Sequence, residues 1–365
     1  MAFSRTAFAL FAAIGLTMSA AGTAQSPAPQ AAPAVTEGNF IVHNYTFRSG
    51  ESMPEVRIHY RTLGAPHKNA RGIVDNAVLI GHGTGGTGAQ FLGPTFAGEL
   101  FGPGQPLDAA KFFIVLSDGV GHGGSSKPSD GLRMKFPHYG YLDMVDLDHR
   151  MLVDGLGVNH LRLVMGTSMG GMHTWVWGEQ FPDFMDALMP LASVPGQISG
   201  RNRVWRRILI DAIKDDAAWQ GGNYATQPPS LRTAAQMLWL VSSNPVRRYK
   251  EAPTLADADR VMEAYVANYI KSNDANDVIY WFEASHDYDP APGLEKIVAP
   301  LLAVNSADDL INPPEIGVLE KEIGRVKHGR MFMIPYSDKT AGHGTHTLAA
   351  VWKDQLVQLL KESQR

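Results

Sequence analysis

Short apolar runs alternate with segments of helical spacing along most of the chain. The apolar runs lie in NAVLIGHG, FFIVLSDGVG, LRLVMGTS, DALMPLAS, PLLAVNSADD and RMFMIPYSD. Helical spacing separates most of them, for example over residues 141–155 and 172–181. This alternation predicts a mainly parallel sheet with helices on both faces. An earlier segment, NFIVHNYTFRSGESMPEVRIHYRTLG, has two alternating runs around a polar turn and predicts a β-hairpin, which brings the sheet to eight strands.

One long segment interrupts this pattern. Residues 197–287 contain helical spacing and turns but no clear buried strand, and they fall between the sixth and seventh predicted strands. Ligands of open α/β sheets bind at the carboxyl ends of the strands. We therefore predict an α/β core over residues 37–196 and 288–365, with residues 197–287 forming a helical lid above that edge.

The first residues have the pattern of an export signal. A basic residue, Arg5, precedes an apolar run over residues 7–18, and small residues follow up to Ala24. The run is short for a membrane span, so we predict a signal peptide over residues 1–24, cleaved near Ala24, and a periplasmic or secreted protein with no stable membrane span. Residues 25–36 begin with a Pro/Ala-rich stretch and predict a disordered spacer.

Composition narrows the partners. The formal net charge is −4, which argues against a nucleic-acid partner because such proteins usually carry a basic face. The chain has 0 cysteines, which excludes disulfides and an acylated cysteine anchor. It has 37 glycines, so a motif written in glycines needs support from its surroundings. The expected partner is a small-molecule ester substrate. The sequence does not decide the oligomeric state, and a homodimer is one of the options.

Ser168 has that support. It lies in GTSMG, between the apolar run LRLVM and a segment of helical spacing. A G-x-S-x-G between a strand and a helix is the nucleophile elbow, in which glycines at the second residue on either side avoid a backbone clash and the serine projects into the site. The alternative is a polar residue in a tight turn. The strand–turn–helix frame favours the nucleophile.

A nucleophilic serine needs an acid, a base and an oxyanion hole. After the seventh strand, NSADDLINP offers Asp308 and Asp309, and we prefer Asp309 from its position before Pro313, with the other aspartate solvated or capping a turn. After the eighth strand, AGHGTHT offers two histidines; we prefer His343 as the base and give His346 a packing or capping role.

The oxyanion hole is expected from two backbone amides. One is Thr84 N–H in the loop IGHGTGGTG, and the other is Met169 N–H directly after the nucleophile. His82 is expected to brace that loop, and His122 and His173 to be core or turn residues. No cofactor or metal site is predicted, and the HDYD at residues 286–289 is interpreted as a hinge turn rather than a ligand set.

These motifs carry a resemblance to a known family. FGPGQPLDAAKFFIVLSDGVGHGGSS, GTSMGGMHTWVW, DAIKDDAAWQGGNY and IVAPLLAVNSADDLINP together resemble the homoserine O-acetyltransferase branch of the α/β-hydrolase superfamily. The resemblance spans nearly all of the chain beyond the spacer. It implies an α/β-hydrolase fold and a covalent acyl-enzyme on Ser168, with Asp309 and His343 completing the triad.

Two departures bear on the substrate. The resemblance implies an aspartate directly after the catalytic histidine, placed for the acceptor ammonium, but the chain has Gly344 there. It also implies a lid arginine for the acceptor carboxylate, for which the sequence offers several candidates without deciding among them: Arg201, Arg203, Arg206 and Arg207. Other lid residues could add an aromatic acyl wall or replace the missing acid: Trp205, Trp219, Trp239, Trp281, Asp211, Asp215 and Asp216.

Three functions follow from these observations. The leading expectation is an exported serine hydrolase of carboxylic esters, in which the acyl group on Ser168 goes mainly to water because Gly344 removes the ammonium partner. The second is an O-acyltransferase of the homoserine O-acetyltransferase type. The third is a hydrolase fold that only binds, which the intact set of triad residues disfavours.

Overall fold

The computed structural model describes residues 34–364. The predicted signal peptide and most of the predicted spacer therefore lie outside the described residues. Residues 35 and 36, which the sequence analysis assigned to the spacer, belong to the first strand, because Val35 pairs with Leu63 and Thr36 with Thr62 in the hairpin.

A single mixed sheet forms the centre of the molecule and confirms the predicted mainly parallel architecture of eight strands. Its order is β1-β2-β4-β3-β5-β6-β7-β8; β1 and β2 are antiparallel to their neighbours, and the other pairs are parallel. The strands are β1 (Val35–Thr46), β2 (Ser52–Leu63), β3 (Ala77–Gly81), β4 (Phe113–Ser117), β5 (Leu163–Thr167), β6 (Leu188–Leu191), β7 (Leu301–Ser306) and β8 (Gly329–Ile334).

Helices connect the strands and cover both faces. They are α1 (Ala97–Leu100), α2 (Tyr141–Arg150), α3 (Met169–Gln180), α4 (Gly200–Lys214), α5 (Leu231–Ser242), α6 (Pro245–Glu251), α7 (Leu255–Ser272), α8 (Ala275–Glu283), α9 (Val318–Glu322) and α10 (Lys353–Glu362). Short 3₁₀ turns at Gly344–Thr347 and Ala349–Val351 precede the last helix, so the α-helix begins only at Lys353.

Strands β3 to β7 are buried on both faces, which is why their sequences are mainly apolar, whereas the edge strand β8 is only partly buried. Along β5, Val164 packs into the core under α2 and α3, whereas Leu163 and Met165 pack into the core under α1 and α10. This alternation follows from the two-residue period of a strand. The sheet is thereby fixed between two helical layers, and its carboxyl edge is a rigid base for side chains.

Helices α4 to α8 lie between β6 and β7 and have a core of their own. Its largest buried members are aromatic and aliphatic residues of α4 and α8, with Trp205 packed edge-on against Phe282. These helices form the lid of the molecule. Among the described residues, no helix combines the length and apolar character needed to cross a membrane.

Candidate active site

Ser168 occupies a sharp turn between β5 and α3. Its backbone has φ 55° and ψ −110°, a conformation that a residue with a side chain rarely adopts. The glycines on either side are required by crowding: a Cβ on Gly166 would lie 2.3 Å from the backbone of Gly170, and a Cβ on Gly170 would lie 2.0 Å from the carbonyl oxygen of Gly81. The strained turn and the two glycines place the Ser168 hydroxyl at the carboxyl edge of the sheet.

Three predicted side chains meet at this edge. The Nε2 atom of His343 lies 2.8 Å from the hydroxyl oxygen of Ser168, and its Nδ1 atom lies 2.8 Å from Oδ2 of Asp309. A carboxylate only accepts hydrogen bonds, so the proton of a neutral His343 is on Nδ1 and Nε2 is free to accept from Ser168. This is the geometry in which a histidine can remove a serine proton.

Asp309 is buried, with 2% of its surface exposed. Burial by itself raises the pKa of its carboxyl. His343 and the amides of Asn312 and Ile311 have the opposite effect and together outweigh burial, so the pKa lies below its ordinary value. Those amides donate to Oδ1 at 3.1 and 2.8 Å, which leaves Oδ2 for the histidine. Asp309 is therefore ionised at neutral pH and held in a fixed orientation.

His346 lies behind His343, where their rings meet edge to face at 4.9 Å between centroids. Burial, with a smaller contribution from His343, lowers the pKa of His346 to about 3. Its imidazole is thus neutral at neutral pH. The structure places His343, and not His346, in contact with Ser168 and Asp309.

The loop after β3 brings Thr84 to the same place. His82 Nδ1 lies 2.8 Å from the carbonyl oxygen of Gly83, and His82 Nε2 accepts from Gly119 N at 3.0 Å, so the imidazole donates to Gly83. In a trans peptide the carbonyl and the next N–H point in opposite directions, so the Thr84 N–H points away from His82. Thr84 lines the cavity that contains Ser168, and Met169 is the first residue of α3. Thr84 and Ser168 thus line the same cavity, and Met169 follows Ser168 directly in the chain; the role of the Thr84 and Met169 amides as oxyanion donors stays a prediction.

A cavity of about 420 Å³ opens above these groups, under the lid. Aromatic side chains form much of its wall: Trp205, Tyr265, Tyr269, Trp281 and Phe282. Its volume and mainly apolar wall suit a small organic molecule. Trp281 covers the oxyanion loop closely, because a Cβ on Gly85 would lie 3.1 Å from its ring.

Arg206 is the lid arginine that faces this cavity. Only 3% of its surface is exposed. Nε donates to Asn202 Oδ1 at 2.9 Å and Nη1 to Ser285 Oγ at 3.3 Å, and the guanidinium lies 4.9 Å from the ring centre of Trp205. Burial lowers its pKa, while Tyr141 acts in the opposite direction. Among residues 34–364 its hydrogen-bond partners are neutral, its guanidinium lies over the rings of Trp205 and Phe282, and it forms no ion pair with a carboxylate, so no protein anion balances its charge.

The other arginines that the sequence offered lie elsewhere. Arg207 pairs with Asp211 on the exposed side of α4, Arg201 donates to the carbonyl of Leu310, and Arg203 lines a separate cavity of about 290 Å³. The helical period explains the difference, because Arg206 shares the buried stripe of α4 with Ile210 and Ile213. That stripe is visible in the sequence and would have distinguished Arg206.

Several candidate residues do not reach the cavity. Of the predicted aromatic wall, Trp219 donates to Asn276 instead, and Trp239 packs under Arg248. Of the acids that might have replaced the missing aspartate, Asp216 caps the turn that follows it, and Asp215 lies exposed at the end of α4. Among the described residues, no carboxylate lines the cavity.

The remaining predicted positions have structural contacts. His122 and His173 are buried, and burial lowers the pKa of each, that of His173 to about 3. Asp287 of the HDYD segment accepts from Tyr141 N and Leu142 N, so it caps α2. Asp308, for which the sequence left a solvated or a turn-capping role open, is half-buried and accepts hydrogen bonds from Asn244, Gly342 and Ser306.

Comparison with known proteins places this geometry in a family. Residues 76–338 match the model of the alpha/beta hydrolase fold family, which is more than half of the chain. The chain belongs to the alpha/beta hydrolase family.

The relatives of this hydrolase support its assignment to the homoserine O-acetyltransferase-like branch. A probable acyltransferase from Methanothermobacter thermautotrophicus is 30% identical over 77% of this chain and 85% of its own length. A homoserine O-acetyltransferase from Chloroherpeton thalassium is 29% identical over 87% of this chain and 86% of its own. The crystal structure of esterase E22 superimposes with a TM-score of 0.78 at 18% identity, covering 90% of this chain and 100% of the other. The predicted α/β-hydrolase fold is thus confirmed.

Proposed function

We propose that this hydrolase transfers an acyl group from a carboxylic ester, through an acyl-enzyme on Ser168, to the hydroxyl group of a small acceptor that carries a carboxylate. The observation that carries the proposal is the buried, uncompensated Arg206 in the same cavity as Ser168. The names of the sequence relatives, a probable acyltransferase and a homoserine O-acetyltransferase, favour transfer and a short acyl group.

Acylation begins with the hydrogen bond between Ser168 and His343. His343 Nε2 takes the serine proton as the oxygen attacks the ester carbonyl, and Asp309 stabilises the resulting imidazolium through Nδ1. Thr84 N–H and Met169 N–H stabilise the oxyanion of the tetrahedral intermediate. The intermediate then collapses, His343 returns its proton to the leaving alkoxide, and the acyl group remains on Ser168.

Transfer repeats these steps with the acceptor hydroxyl. His343 Nε2 takes the hydroxyl proton, the acceptor oxygen attacks the acyl carbonyl, and Ser168 leaves with the proton from His343. Water can compete at the same position. The acceptor therefore needs a fixed contact that holds its hydroxyl against the acyl group.

Arg206 supplies that contact. A guanidinium binds a carboxylate through parallel hydrogen bonds, and a buried cation without an anion is unfavourable until such a ligand arrives. A charge-assisted hydrogen bond contributes about 1.5–3 kcal/mol, or roughly one to two orders of magnitude in binding. A carboxylate-bearing acceptor thus gains over water and over neutral alcohols.

Hydrolysis is the second candidate, and one observation favours it for amino-acid acceptors. No carboxylate lines the described cavity, and Gly344 follows His343 where the resemblance implies an aspartate. The ammonium of homoserine would find no carboxylate to pair with among the described residues of this cavity and would lie beside the cation of Arg206, which is costly. We propose that the acyl group goes to water when homoserine is the only acceptor present.

Matched acceptors test this proposal. The enzyme is incubated with p-nitrophenyl acetate and equal concentrations of 4-hydroxybutanoate, homoserine or 1-butanol, which differ in the carboxylate and the ammonium. We expect the acetyl ester of 4-hydroxybutanoate to exceed the esters of the other two by about tenfold or more, given the contribution of one charge-assisted contact. Products are separated from free acetate and quantified by mass spectrometry.

Arg206→Met is the matching variant. Methionine is an unbranched apolar side chain that can occupy much of the same space, and it removes the guanidinium that lies over Trp205, so the preference for 4-hydroxybutanoate over 1-butanol should disappear. Free acetate as the main product with all three acceptors would support hydrolysis instead. Acetylhomoserine as the main product would contradict the argument from the missing acid.

We also propose export, on the sequence of residues 1–24. Mass spectrometry of the protein from the envelope fraction should give a mature N-terminus close to Gln25, because the small residues before it suit signal peptidase. A protein that keeps Met1 and is found in the cytoplasm would contradict export. It would also make a coenzyme A thioester an available acyl donor.

A further inference from the structure

Asp308 connects the lid to the loop of the catalytic histidine. Its Oδ2 atom accepts a hydrogen bond from Asn244 Nδ2 at 2.6 Å and another from Gly342 N at 2.8 Å. Asn244 lies in the lid junction, which we define as residues 243 and 244 between α5 and α6. Gly342 ends the histidine loop, defined as residues 335–342, which runs from β8 to His343. One carboxylate oxygen thus holds both segments.

The two segments are also in direct backbone contact. A Cβ on Gly342 would lie 2.9 Å from the carbonyl carbon of Ser243 and 3.0 Å from Asn244 N, so no side chain separates them. Gly342 has φ 64°, in the left-handed region that glycine favours. The lid junction therefore packs directly against the backbone of the residue before His343.

The lid junction directly follows α5, a helix that lines the cavity. Helix α5 ends at Ser242, and it contributes Leu238 and Ser242 to the cavity wall. Asn244 is buried and caps α6, because its Oδ1 accepts from Arg247 N at 2.8 Å. A change at Asn244 therefore reaches helices on both sides of the junction.

Asp308 carries the charge needed for a strong link. Burial by itself raises the pKa of its carboxyl. Hydrogen bonds from Ser306, Asn244 and Gly342 have the opposite effect and together outweigh burial, so the pKa lies below its ordinary value. The adjacent Asp309 holds the side chain of His343, while Asp308 holds the backbone before it. The loop after β7 therefore holds His343 at two points, its side chain through Asp309 and the backbone before it through Asp308.

We propose that Asp308 is a positioning residue that couples the lid to the catalytic histidine, because its carboxylate joins Asn244 of the lid junction to Gly342 beside His343. The inference rests on the proposed function, in which His343 is the base. Displacement of reacting groups by about 1 Å can cost roughly 100-fold in rate, so a loosened link lowers turnover as well as binding.

Asn244→Asp tests the link with little change in shape. The aspartate keeps an acceptor for Arg247 N, so α6 stays capped, but it replaces the donor to Asp308 with a second carboxylate. For hydrolysis of p-nitrophenyl acetate, we expect kcat to fall about tenfold while KM changes by less than about threefold, because the loss of a charge-assisted hydrogen bond is expressed at the histidine.

Ser243→Ala is the matched control. Ser243 lies in the same junction, and its hydroxyl donates to the carbonyl oxygen of Leu240 in α5 at 3.3 Å rather than to Asp308. This variant should keep the wild-type kcat and KM. A wild-type kcat in Asn244→Asp, or an equal loss in Ser243→Ala, would overturn the proposal.

A double-mutant cycle identifies the partner. In an Asp308→Ala background there is no carboxylate for residue 244 to contact, so Asn244→Asp should cause no further loss of kcat. An equal tenfold loss in both backgrounds would mean that Asn244 acts through another contact, and would overturn the role of Asp308.

Hydrogen–deuterium exchange provides a readout that does not depend on catalysis. Amides of residues 338–346 should exchange faster in Asn244→Asp than in the wild type and Ser243→Ala, because the lid no longer holds the histidine loop. Unchanged exchange would overturn the coupling even if p-nitrophenyl acetate is not a substrate. Faster exchange in a protein whose wild type forms no acyl-enzyme would support the coupling and contradict the proposed function.

Discussion

Ser168→Ala and His343→Ala should each lower kcat for ester turnover by about five to six orders of magnitude, because the residues of a catalytic triad, which we propose these to be, act as a unit and the loss of either removes nearly all of their contribution. The structure gives the reason in two contacts, with Nε2 of His343 at 2.8 Å from Ser168 and Nδ1 at 2.8 Å from Asp309. Single-turnover kinetics with p-nitrophenyl acetate measures acylation directly. A fluorophosphonate should label the wild type and should not label Ser168→Ala.

His346→Ala is the control for the base. His346 lies edge-on to His343 but does not contact Ser168, and its low pKa of about 3 keeps it neutral. We expect this variant to keep most of its activity. Loss of activity in His346→Ala with retained activity in His343→Ala would show that the base is assigned to the wrong histidine.

Asp309→Asn should lower kcat by about three to four orders of magnitude with little effect on folding. If the amide oxygen keeps the hydrogen bonds from Ile311 N and Asn312 N, the amide NH₂ faces His343. An NH₂ group donates, so His343 turns to the tautomer with its proton on Nε2 and can no longer accept the proton of Ser168. The loss should appear in the acylation rate, with unchanged melting temperature.

Asp308→Asn is the matched control for the acid. An amide oxygen in the place of Oδ2 still accepts from Asn244 and Gly342, and the NH₂ group can donate to the hydroxyl of Ser306. The geometry of the link to the lid is kept but its charge is lost, so we expect a loss of kcat of at most about tenfold, far smaller than that of Asp309→Asn. A severe loss in Asp308→Asn and a mild one in Asp309→Asn would move the role of the acid to Asp308.

Local patterns were sufficient to predict the sheet and the residues around the nucleophile. The apolar runs identified the strands because parallel strands are buried on both faces. Ser168 was recognisable because its turn needs glycines at fixed positions, and the candidate acid and base followed from their places after β7 and β8. These features depend on neighbouring residues, which a single sequence contains.

Long-range contacts were harder to predict. Asp308 and Asn244 are separated by many residues and meet only because the lid folds back over the loop after β7, which contains Asp308 and Asp309. Arg206 and Arg207 lie on opposite sides of α4. The sequence does not show what either side chain contacts, so only the helical period distinguishes the two. The direction of the Thr84 amide likewise depends on the contact of His82 with Gly83.

The position of the lid in the chain has a consequence for the timing of activity. Ser168 precedes the lid helices, whereas Asp309 and His343 follow them. Because synthesis runs from the N-terminus, β5 is made before the lid and His343 after it, so a chain that has grown only as far as the lid lacks the proposed base of Ser168. Any C-terminal truncation that removes the segment after β8 also leaves Ser168 without its base. Turnover through the proposed triad can therefore begin only after the lid and the segment that follows β8 have been made.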